Sequence, residues 1–125
     1  MLTTLLIAML AQDPAQPSQA ELEAAILAHE RMLFASPAIC PPGARNCPRA
    51  PSRVTVTQFA CDATGVDRKG EPFLVCRTSY RFSGGEFHGV RADMICVPVR
   101  WVTGTADAPA WKVVVVRKED MCGTR

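Results

Sequence analysis

Residues 53–82 read RVTVTQFACDATGVDRKGEPFLVCRTSYRF, and this stretch decides the fold. Arg53–Cys61 alternates polar and apolar side chains and is rich in Val and Thr, as a half-buried strand requires. Asp67-Arg68-Lys69-Gly70 is turn chemistry, after which Glu71–Phe82 resumes the alternation. Two strands joined so closely favour an antiparallel pair. Within the second, Leu74, Cys76, Tyr80 and Phe82 point one way and Arg77 and Arg81 the other, because side chains alternate along a strand. The apolar set is expected to face the core.

The same pattern continues downstream. Ser83-Gly84-Gly85 is a second turn, Arg91–Thr103 (RADMICVPVRWVT) a third strand, Gly104–Pro109 a third turn and Ala110–Lys118 (AWKVVVVRK) a fourth strand. Pro98 has no N–H to give to a ladder, so it marks an edge, a bulge or the unpaired side of its strand. Trp101 and Trp111 flank the third turn and are expected to meet across it.

Upstream, Gln19–Phe34 (QAELEAAILAHERMLF) carries Leu22, Ala25, Ile26, His29 and Leu33 at helical spacing, widened by Leu27 and Met32. Ser18 followed by Glu21 has the spacing of a capping box, and Pro37 closes the segment. The expected fold is therefore α+β: one N-terminal helix packed on a four-stranded antiparallel meander sheet. This order of elements resembles that of cystatin-like and NTF2-like rolls, although the Q-x-V-x-G signature of cystatin inhibitors is absent.

The N-terminus addresses the compartment. Leu2–Leu10 (LTTLLIAML) is apolar and uncharged, too short to span a bilayer but of the length of a secretory signal core. Residues 1–11 are read as a signal peptide cut after Ala11, with a cut as late as Ala20 as the alternative. Residues 12–18, polar and twice interrupted by Pro, are a linker, and 19–125 a single domain. The chain is thus expected to be secreted or periplasmic, with no membrane span in its mature form.

Six cysteines, Cys40, Cys47, Cys61, Cys76, Cys96 and Cys122, lie downstream of that segment, an even number that predicts three disulfides. Cys40 and Cys47 flank a Pro- and Arg-rich loop and are expected to clasp it. A turn centred on Arg68-Lys69 sets Cys61 opposite Cys76, and one about Glu86 sets Cys76 opposite Cys96. Two pairings remain open: Cys61–Cys76 with Cys96–Cys122, preferred because it joins neighbours in sequence, or Cys76–Cys96 with Cys61–Cys122.

The chemistry is sparse. A net charge of +2 with scattered Lys and Arg gives no nucleic-acid stripe, and no metal, cofactor or catalytic motif is present. The expected function is that of a small exported binding or structural protein, non-enzymatic, whose partner is a protein or an anionic surface polymer. Its contact surface is placed on the clasped loop with Arg45, Arg49 and Arg53 and on the open sheet face with Arg77 and Arg81, near Arg100 or Lys112. Two alternatives remain. One is a small enzyme using His88 with Glu86 or Asp93 as a general base. The other is a hydrophobic-ligand module lined by Ile26, Leu33 and Met94; His29, on the apolar side of the helix, is read as a core or boundary residue.

Overall fold

In the computed structural model, residues 16–102, 110–117 and 122 are described. The signal segment 1–11 and the turn at 104–109 lie outside the described residues. The elements run α1 (Gln19–Phe34), β1 (Arg53–Val66), β2 (Pro72–Ser83), β3 (Arg91–Trp101) and β4 (Trp111–Val113), with the strands antiparallel in the spatial order β1-β2-β3-β4. Among the described residues this is the expected α+β meander with one helix packed on four antiparallel strands.

The helix starts as its sequence dictates. Ser18 Oγ accepts from Glu21 N at 3.1 Å and Glu21 Oε1 accepts from Ser18 N at 2.9 Å, so two of the orphan donors of the first turn are satisfied reciprocally. Leu22, Ala25 and Ile26 are buried against Val54, Val56, Cys76, Val97, Val99 and Trp111, with Leu74, Tyr80 and Phe82 packed at the margin. At the end of the helix Phe34, rather than Leu33, turns inward, and its ring meets Phe87 edge-on at 5.7 Å. One helical turn also serves the sheet. Glu23 Oε2 accepts from Val56 N at 2.8 Å while Gln19 Nε2 donates to Val56 O at 2.7 Å, so both outward-facing backbone groups of this β1 residue are held by α1.

Three disulfides tie the molecule: Cys40–Cys47, Cys61–Cys76 and Cys96–Cys122, with Cα separations of 5.2, 3.9 and 5.7 Å. Cys61 lies in the irregularity between Ala60 and Ala63 and reaches the buried Cys76 across the β1–β2 pair. The second register expectation needs correction. Near the turn the β2–β3 pairing does centre on Glu86, with Tyr80 opposite Ala92 and Arg81 opposite Arg91. A bulge on β3 between Ala92 and Ile95 then shifts it by one, so Cys96 stands opposite Arg77 and Cys76 opposite Val97. Neighbours along a strand point to opposite faces, so the shift separates Cys76 from Cys96 and leaves only the preferred pairing. Within the bulge Met94 takes φ 51°, a conformation rare for a side chain of its size, and Ser79 Oγ accepts its N–H at 3.0 Å.

Two strands differ in length from expectation. β1 runs on past Cys61 to Val66, paired with β2 as far as Pro72; Phe73 lies opposite Gly65, and its ring occupies the space a Gly65 side chain would need. β4 stops at Val113, well short of Lys118. Val114 N donates to Pro98 O at 2.9 Å, but Pro98 has no N–H to return the bond, and regular pairing ends there. Pro98 thus marks the end of the ladder on the β4 side. Trp101 and Trp111 do stand opposite one another.

Candidate functional site

The turn between β1 and β2 is built by one aspartate. Asp67 Oδ1 accepts from Lys69 N and Glu71 N, both at 2.9 Å, while Gly70 takes φ 82° and its N–H donates to Asp67 O. Arg100, on the outer face of β3, reaches this turn: its guanidinium donates to Asp67 Oδ2 at 2.6 Å and to Pro72 O at 3.0 Å, and lies 3.4 Å from Glu71 Oε2. The Glu71 backbone N–H, and after it the Arg100 guanidinium, hold the Asp67 carboxyl below the ordinary carboxylate range. Arg77 is paired too, with Asp62 at 2.5 Å. The arginines expected on the open face near β4 are therefore occupied by carboxylates of the same end of the molecule.

The opposite end differs. Arg81 stands directly across from Arg91, and Arg53 shares their face through Thr55, the β1 residue opposite Arg81. Phe82 N donates to Val90 O, which makes the adjacent Arg81–Arg91 pair a non-hydrogen-bonded one, the arrangement in which opposed side chains stand closest. All three arginines are exposed, and among the described residues none has a carboxylate partner.

The clasped loop joins them. It is seated on the β2–β3 turn by Ser52 N to Ser83 O at 2.9 Å and Glu86 N to Arg49 O at 3.2 Å. A side chain at Gly85 would meet Ala50 O at 2.6 Å and would also be strained at φ 72°, so only glycine allows this approach. Arg45 and Arg49 on the loop are exposed, and Arg49 has only a long, solvent-exposed contact of 3.7 Å with Glu86. Five arginines thus gather at one end: Arg45, Arg49, Arg53, Arg81 and Arg91. Four of them are among those expected from the sequence; Arg77 belongs to the other set, and Arg91 is new. The signal for Arg91 lay in the turn about Glu86, since equal steps either side of it reach Arg81 and Arg91.

His88 is exposed, and its Nδ1 accepts from Gly84 N at 2.7 Å, so this nitrogen closes the turn. Glu86 leans toward Arg49, and Asp93 is exposed in the β3 bulge.

A cavity of about 300 Å³ opens between α1, β3 and the segment after β4. Its apolar wall includes Ile26, Ile95, Val97, Pro98 and Val113, and its polar groups are His29, Glu30 and Tyr80. Burial pushes the His29 pKa down and the Glu30 pKa up. Tyr80 is raised by burial and then by the Glu30 charge. Of the residues expected to line such a cavity, Ile26 does so, whereas Leu33 and Met94 are on the surface.

Among the described residues no group of three His, Cys, Asp or Glu side chains is placed to hold a metal ion, and no helix is long and apolar enough to cross a membrane. Compared with protein families, curated proteins and solved structures, the chain matches none.

Proposed function

We propose that the chain is an exported, disulfide-stabilised binding protein that acts by contact rather than catalysis, and that its partner is an anionic surface polymer held at the arginine end. The observation that carries this reading is the opposed pair Arg81 and Arg91 without a carboxylate between them. Like charges directly opposite on a sheet oppose folding, and an anion lying between them relieves that repulsion. With Arg53 one strand further, the three guanidinium groups cross three strands, roughly 10 Å from first to last at the usual strand spacing. That spread suits repeating sulfate, phosphate or carboxylate groups along a chain, and arginine grips such groups through two parallel hydrogen bonds. Export is supported by the apolar segment at residues 2–10 and by six cysteines forming three bridges, a pattern of oxidising compartments.

The test is elution of the oxidised chain from immobilised dextran sulfate in a salt gradient. Replacing Arg81 and Arg91 together by Ala should lower the eluting salt clearly, and replacing Arg77 by Ala should barely move it. An unretained parent chain, or equal shifts for the two variants, would overturn the reading.

A further inference from the structure

The cavity between α1 and β3 is remote in chemistry from the arginine end. Among the described residues no Lys or Arg lines it and no cation pairs with Glu30. His29 Nδ1 is buried and has no hydrogen-bond partner among the described residues. An unpartnered buried nitrogen and a half-buried carboxylate without a counter-charge are both costly, and in native structures each such group asks for an explanation.

We propose that this cavity binds a small hydrophobic amine in its ammonium form. An ammonium head has three N–H donors and no acceptor, and three residues that line the site carry acceptor groups: Glu30, His29 and Tyr80. His29 is available as an acceptor because burial favours its neutral form. The negative charge of Glu30 selects a cation, and a fatty-acid carboxylate would be repelled by it. The hydrocarbon part of the ligand lies among Ile26, Ile95, Val97 and Val113. Size follows from volume: an apolar cavity of about 150 Å³ accepts benzene, so about 300 Å³ corresponds to a ligand of roughly ten heavy atoms.

Titration calorimetry of the oxidised chain with octylammonium chloride, sodium octanoate and octanol tests this. Octylammonium should bind saturably and about tenfold or more tighter than octanol, the contribution expected of a hydrogen bond to a charged group, and octanoate should not bind. Glu30→Gln should bring octylammonium down to the level of octanol. Ile95→Trp should fill the cavity and abolish binding; Ile95 is 44 % exposed, so the larger ring has room and the circular dichroism and Tm should stay as in the parent. Absence of saturable octylammonium binding, equal binding of octanol or octanoate, or an unchanged affinity in Glu30→Gln would each overturn the proposal.

Discussion

Strand β3 carries a pair of opposed cations at each of its ends, and the two pairs live under different conditions. Arg100 stands across from Lys112, and Arg81 of β2 stands across from Arg91. Beside the first pair are Asp67 and Glu71, which take up the Arg100 guanidinium together with backbone carbonyls of the β1–β2 turn. Among the described residues no carboxylate pairs with either arginine of the second pair. The Arg100 side chain is 23 % exposed and the turn is folded around it, so this arginine is part of the scaffold. Arg81 and Arg91 have no ion pair among the described residues, which leaves their donors to something outside the molecule. Counting arginines on a face therefore says little; what matters is whether their donors are already used.

The largest effect should come from the bridge between the two ends. Replacing Cys61 and Cys76 together by Ala should cost about 2–4 kcal/mol by freeing the unfolded chain, measured as a lower denaturant midpoint. If polyanion binding disappeared along with this loss even where the variant is still folded, the arginine end would depend on the bridge and the contrast between the ends would weaken.

A smaller loss is expected for Arg100→Ala, a fall in Tm of roughly 5–10 °C, since several hydrogen bonds at the turn are lost together. The same contact has a pH signature. The Asp67 pKa is lower in the folded than in the unfolded chain, so its contribution is full above the ordinary aspartate range and is lost as pH falls through that range toward the folded value. Asp67→Asn should flatten the acid limb of Tm against pH; an unchanged limb would show that Arg100 and Asp67 do not stabilise the turn.

The smallest effect, and the sharpest for the comparison, is Arg91→Glu. It turns a repulsive cross-strand pair into an attractive one and should raise stability by about 0.2–1 kcal/mol while weakening dextran sulfate retention. A variant that lost stability would mean that the two guanidinium groups are not in each other's field.

Much of this was legible in the sequence, and the failures have physical causes. The helix start follows from Ser18 and Glu21, which act within one turn and need nothing distant. Turn positions brought Cys61 opposite Cys76 but left two pairings open, and only the bulge on β3, which they do not encode, separates Cys76 from Cys96. The run Val113–Val116 reads as strand by composition, yet its length is set by Pro98 on the neighbouring strand. The bulge at Met94 carries no glycine to announce it; the left-handed backbone there is held by Ser79, distant in sequence. Arg77 and Arg81 look alike in the sequence because alternation gives only the face, whereas Asp62 decides which of them is engaged. The cavity was hardest to foresee: His29, Glu30 and Tyr80 come together only through the rotation of α1 over the sheet, which no local pattern encodes.

The grip of Gln19 and Glu23 on Val56 has a further consequence. An outer strand usually offers its free amides and carbonyls to any extended chain that drifts by, and sheets grow from protein to protein in that way. At Val56 both valences are already filled by side chains of the same molecule, so an incoming strand would have to displace the helix before it could add. Crowded copies of this protein should therefore resist zipping together along β1, and loosening that one turn of helix is the change that would start them doing so.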